Sequence, residues 1–201
     1  MEKIIFKIFQ DSISVKKAFV RDNTAKIILL AEKVAAAFAG DRKLLLCGNG
    51  GSAADCQHIA AEFVNRYMLE RPPLPALALT TDTSVLTCIG NDYSFDSVFS
   101  KQVKALGVEG DILLALSTSG NSENVLQAVR SARARGIYTA AFLGGTGGGI
   151  APEVDLAIIV DSSDTPRVQE THITAGHALC HLVDHLLFHE PVRVHVSESD
   201  K

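Results

Sequence analysis

Ser117-Thr118-Ser119-Gly120-Asn121-Ser122 puts four hydroxyl side chains into six residues, after the apolar run Ile112 to Leu116 and before a helical stretch. Hydroxyls and backbone N–H groups at the start of a helix converge on an anion, helped by the positive end of the helix. The loop holds no Lys or Arg and lacks the G-K-[ST] of a nucleotide P-loop, which favours a phosphate monoester on a sugar over ATP. An ordinary turn with a serine helix cap is the competing reading. A second loop, Gly48-Asn49-Gly50-Gly51-Ser52-Ala53, satisfies G-x-G-x-x-A after a strand. A dinucleotide site would also need an acidic residue about 20 positions on. The chain there is the proline-rich Arg71 to Pro75, and Asp82 comes too late. Glycines 50 and 51 still permit close backbone approach to a ligand, and Asn49 and Ser52 could bond sugar hydroxyls.

His58 and Glu62 follow at i and i+4, so both project from one face of the next helix. Taken alone, a solvated polar pair is the commoner outcome of that spacing. Six of the seven histidines fall after residue 171, and Gln169 and Glu170 just before them and Asp184 among them add further polar groups. Gln169 and His177 lie about 80° apart round a helix, so both could reach one site. His58, Glu62 and His177 offer donors suited to zinc or a similar divalent ion, with Gln169 as a weaker oxygen donor.

These residues need a frame that brings them together. The chain has 201 residues, 47% hydrophobic and 21% charged, which fits one globular domain. A net charge of −4 argues against a dedicated nucleic-acid binder. No run reaches membrane-spanning length, and Met1 to Phe9 lack the continuous apolar stretch of a signal peptide. Cys47, Cys56, Cys88 and Cys180 show no C-x-x-C pairing and sit among apolar neighbours, so all four read as buried, reduced thiols of a cytoplasmic protein.

Two N-terminal helices are expected over residues 1–40. The first carries Ile5, Phe9, Ile13 and Val20, and the second is capped by Asp22 or Asn23 and stopped by a left-handed Gly40. Residues 41–190 then alternate short apolar runs with helical stretches, an α/β pattern predicting five parallel strands covered on both faces. The runs are Leu44–Cys47, Ala76–Leu79, Ile112–Leu116, Ile137–Leu143 and Leu156–Val160. Arg71-Pro72-Pro73-Leu74-Pro75 reads as a stiff surface connection. A last helix is expected from Pro166 to Phe188, then a polar tail over 191–201. In such a sheet ligands bind beyond the carboxyl ends of the strands, where both loops lie.

Together, CGNGGS at Cys47 to Ser52, the helix with His58 and Glu62, CIGND at Cys88 to Asp92, STSGNS at Ser117 to Ser122 and RVQETHITAGH at Arg167 to His177 resemble the phosphoheptose isomerase family, over nearly the whole chain. That family belongs to the sugar isomerase (SIS) domain group. The resemblance implies a flavodoxin-like three-layer αβα sandwich and a homotetramer with active sites between subunits. The implied reaction takes sedoheptulose 7-phosphate to D-glycero-D-manno-heptose 7-phosphate, towards ADP-heptose and the lipopolysaccharide core. It further implies one zinc ion per subunit on the positions matching His58, Glu62, Gln169 and His177. Asn49, Gly50, Gly51, Asn91 and Asp92 would contact the sugar, and Ser117, Thr118, Ser119 and Ser122 the phosphate. Moving a carbonyl between C2 and C1 needs two acid/base groups, and Glu62 and His177 are the pair of choice. Some members carry an Asp where this chain has Pro166. Two alternatives on the same scaffold are a non-catalytic protein that associates with the replication initiator and a regulator that senses a sugar phosphate.

Overall fold

The computed structural model describes residues 1–189. The expected polar tail, 191–201, lies outside the described residues. Helix α1 (Glu2–Ala39) leads into strand β1 (Leu44–Gly48), α2 (Gly51–Val64), β2 (Ala76–Ala78) and α3 (Thr83–Asp92). A 3-10 turn at Phe95–Ser97 enters α4 (Val98–Leu106), followed by β3 (Ile112–Ser117), α5 (Glu123–Arg133), β4 (Tyr138–Gly144), β5 (Leu156–Val160) and α6 (Thr165–Phe188).

All five strands are parallel, in the order β2-β1-β3-β4-β5. Side chains alternate across the sheet, so each strand feeds two cores. Leu44, Leu46, Leu114, Leu116, Phe142 and Ile158 point to the face covered by α1, α2 and α6. Leu45, Cys47, Leu113, Ala115, Ala141 and Leu143 point to the face covered by α3, α4 and α5. That double burial is why the strands read as unbroken apolar runs. The three-layer αβα sandwich is the one expected.

Three expectations fail, each for a physical reason. The two N-terminal helices are one, 38 residues long. Asn23 does not cap a second helix. It is buried, and its Nδ2 donates to the Phe19 carbonyl one turn back (3.1 Å) and to the Ile159 carbonyl of β5 (3.2 Å). Packing against β5 uses the amide, so the backbone never leaves the helix. At the far end the left-handed residue is Asp41, at φ 56°, while Gly40 stays at φ −94°; a short polar side chain tolerates that conformation. Third, Cys88 is exposed on α3, whereas Cys47, Cys56 and Cys180 are buried. Burial without a cationic partner pushes the Cys47 thiol up to about 12.

The proline-rich connection is also more than a surface strap. Arg71 and Leu74 are both buried under it.

Candidate active site

In this strand order the chain leaves β1 towards β2 on one side and later returns to place β3 on the other. The crevice at that switch, beyond the carboxyl ends of β1 and β3, is where a ligand fits. Both loops picked out from the sequence open there. Gly48 pairs with Leu116 across the two strands, and a Cβ on Gly48 would lie 3.0 Å from the Leu116 carbonyl oxygen, so the strand ends pack backbone to backbone.

In the first loop Gly50 turns the chain at φ 55°, and α2 starts at Gly51. Asn49 and Asn124 form a reciprocal amide pair at 2.8 and 2.9 Å. That fastens the β1 loop to the first turn of α5 and leaves Asn49 one N–H to offer a ligand. Ser52 is buried behind the loop. Asn124 was not legible as a site residue, since a single Asn after Ser122 has no pattern. In the second loop the Ser117 hydroxyl accepts from the Gly120 N–H (3.1 Å) and lies 3.2 Å from the Ser122 hydroxyl, while the Ser119 hydroxyl accepts from the Asn121 N–H (3.2 Å). Gly120 holds φ 67°, and the turn stands hydroxyl-rich at the N-terminus of α5. Thr118 is half-buried and Ser119 exposed.

Helices α2 and α6 run side by side in the same direction. Gln169 lies against Gly51, Gly176 against Ile59, and His177 beside His58. The fit is tight: a Cβ on Gly51 would fall 2.3 Å from Gln169 Nε2, and one on Gly176 would fall 2.6 Å from Ile59 Cδ1. A glycine inside a helix costs about 1 kcal/mol against alanine, and Gly176 is the sequence signal of this close approach.

Where the two helices meet, His58, Glu62 and His177 place one donor atom each within 4.8 Å of one another. His58 Nε2 lies 2.8 Å from His177 Nε2 and 3.4 Å from Glu62 Oε1. Donors about 2 Å from a tetrahedral zinc sit roughly 3.3 Å apart, so the group fits such an ion. Tyr67 stacks on the His177 ring, centroids 5.6 Å apart and planes 23° apart. Asp55, one turn before His58, has its carboxyl raised by burial, against the pull of His58.

The remaining described histidines part ways. His172 is wholly buried against Phe142, and burial holds its imidazole down at about 4. His181, His185 and His189 line a separate cavity with Met68, Leu69 and Asp184. Asn91 and Asp92 end α3 exposed, with Asn91 Nδ2 donating to Asp92 Oδ1 (2.9 Å), and no hydrogen bond among the described residues joins them to either loop. Asp82, too late for a ribose, caps α3 by accepting from the Val85 N–H.

The sheet order, the glycine loop and the hydroxyl loop are those of a SIS domain, and that domain family matches residues 8–144. A phosphoheptose isomerase of Nitratidesulfovibrio vulgaris is 53% identical over 186 residues, 92% of this chain and 89% of that protein. The phosphoheptose isomerase structure from Neisseria gonorrhoeae superposes with a TM-score of 0.86 at 45% identity, covering 91% of this chain and 98% of that one. The one from Francisella tularensis gives 0.88 at 38% identity, covering 90% and 97%. This chain belongs to the phosphoheptose isomerase family, and is an isomerase.

Proposed function

We propose that the protein interconverts sedoheptulose 7-phosphate and D-glycero-D-manno-heptose 7-phosphate, with Glu62 and His177 as the acid/base pair. The observation that carries this reading is the meeting of His177 from α6 with His58 and Glu62 from α2, in a chain whose hydroxyl-rich loop at the N-terminus of α5 suits a phosphate. Ser117, Thr118, Ser119 and Ser122 take the phosphate, and Asn49, Gly50, Gly51, Ser52, Asn91, Asp92 and Gln169 the sugar. In the forward direction one group of the pair removes a proton from C1 of the ketose. The electron pair forms a C1–C2 double bond, and the C2 oxygen becomes an enediolate oxygen. Protons then go to C2 and to its oxygen while the C1 hydroxyl gives one up, leaving an aldehyde at C1.

His58, Glu62 and His177 would hold a zinc ion, with Gln169 as the weaker fourth donor. The ion supplies positive charge near the developing oxyanion. Glu62 has two oxygens, so one can face an ion while the other faces the sugar. A homotetramer is supported by the apolar face that α1 leaves uncovered at Ile5, Phe6, Phe9 and Ile13, since contiguous exposed apolar surface marks a contact with another chain. No described helix is long and apolar enough to cross a membrane, in keeping with a cytoplasmic site of action.

The test is to incubate purified, metal-analysed protein with sedoheptulose 7-phosphate and follow the aldose by NMR. Glu62→Gln should lower turnover at least about 100-fold. Parent-like turnover in that variant would remove Glu62 from the mechanism.

A further inference from the structure

Arg71 is buried, its guanidinium shared between two helices. Its Nε donates to Asp184 Oδ1 of α6 (2.7 Å), its Nη2 to the Glu62 carbonyl (3.0 Å), and its Nη1 to the Phe63 (2.8 Å) and Pro72 (3.1 Å) carbonyls. Glu62 and Phe63 lie in the last turn of α2, where carbonyls have no helical partner and the dipole is negative. Asp184 follows His177 by seven residues, two turns along α6 and about 20° round it, so both lie on one face. One guanidinium therefore joins the backbone of Glu62 to the α6 face that carries His177.

We propose that Arg71 is a positioning residue for the Glu62/His177 pair, setting the distance and rotation between α2 and α6 at the site. Asp184 Oδ2 is buried with no hydrogen-bond partner among the described residues, and the buried Arg71 guanidinium forms an ion pair with the other oxygen of that carboxylate at 2.7 Å. Prolines 72, 73 and 75 restrict the backbone just beyond it. A lysine at 71 could meet Asp184 but could not span all four acceptors with a planar fork. Positioning of this kind acts on metal affinity and turnover together and changes KM little, because the phosphate loop belongs to β3 and α5, and the sugar-contacting Gly51, Ser52 and Gln169 lie at the starts of α2 and α6, about three turns or more from the residues Arg71 holds.

The turnover arm rests on the isomerase reading, while the zinc arm needs only the three donors. Zinc affinity is measured by competition with a chromophoric chelator, and kcat and KM with sedoheptulose 7-phosphate. The proteins are the parent, Arg71→Lys, Arg71→Met with Asp184→Leu, and Val129→Ala. Val129 sits in the core on the opposite face of the sheet and controls for lost stability. Arg71→Lys should lose about 10–100-fold in zinc affinity and in kcat, as partners behind metal ligands do, with KM within about twofold. The double variant removes both buried charges and should recover thermal stability without recovering zinc affinity. Val129→Ala should lose stability alone. Parent-like zinc affinity in the double variant, or losses that merely track Tm as in Val129→Ala, would overturn the proposal. A parent that binds zinc but does not turn over the heptose phosphate refutes the isomerase reading and leaves the zinc comparison to decide on Arg71. A parent that does neither has no pair for Arg71 to position, which also overturns it.

Discussion

Gly176→Ala should disable the site while leaving the protein folded. The added Cβ would stand 2.6 Å from Ile59 Cδ1 and 2.8 Å from Ile59 Cγ1, where carbon atoms settle at about 3.5–4.0 Å. Ile59 is fully buried and cannot swing aside, so α2 and α6 must separate by about 1 Å at that level. Overpacking costs about 1–3 kcal/mol, offset by about 1 kcal/mol from placing Ala for Gly in a helix. Net destabilisation in urea should therefore stay below about 2 kcal/mol. His177 is the next residue and His58 precedes Ile59, so the same displacement opens the 2.8 Å contact between their Nε2 atoms by about 1 Å, beyond the roughly 3.3 Å spacing a tetrahedral zinc requires. A misplacement of that size costs about 100-fold in turnover. Ile59→Ala removes both clashing carbons. In the double variant part of the activity should return, and the stability effects should fall short of additivity by about 1 kcal/mol or more. Urea unfolding, chelator competition and kcat measure all three quantities. Parent-like kcat and zinc affinity in Gly176→Ala, or strict additivity in the cycle, would refute the reasoning.

Two further outcomes follow from the geometry. His172 is held neutral at about 4 by burial, against 6.5 in an unfolded chain; above pH 6.5 both states are neutral, and as the pH falls towards 4 the unfolded state binds the extra proton. Stability should drop by about 3 kcal/mol across that window, and His172→Phe, measured by urea unfolding at pH 7 and 4.5, should flatten the dependence; an unchanged slope would show that other groups cause it. Gly120→Ala places a Cβ 2.1 Å from the Gly147 carbonyl oxygen at a φ of 67°, which should raise KM for the sugar phosphate more than about tenfold and cost about 1–3 kcal/mol; an unaltered KM would take the hydroxyl loop out of phosphate binding.

What could be read from the sequence was whatever repeats over a short window. Leu44 to Cys47, Ile112 to Leu116 and Leu156 to Val160 are apolar without alternation because two helical layers cover them, and that pattern needs no knowledge of partners. The hydroxyl loop is local too. Two of the misreadings concern side chains whose role is set by distant chain. Asn23 looks like a cap until β5 supplies the Ile159 carbonyl. Arg71 looks like part of a surface strap until α6 supplies Asp184, 113 residues away. Periodicity placed four histidines on α6 but could not rank them, because rank depends on what faces each one. His172 meets Phe142 of the sheet, His177 meets α2, and His181 opens on a side cavity.

The site's two halves have separate supports, and that bears on why a phosphate loop identifies a ligand class and no more. The hydroxyl loop is fixed by β3, α5 and the Asn49–Asn124 pair. The proposed acid/base pair sits where α2 approaches α6, a seam that holds Gly51 and Gly176 and is bridged by Arg71. A change on the helical side can abolish proton transfer while the loop still holds a sugar phosphate, so the same frame can bind without turning over. On the proposed mechanism, turnover depends on the α2–α6 seam, where this chain has two glycines, a buried guanidinium and a converging His58, Glu62 and His177.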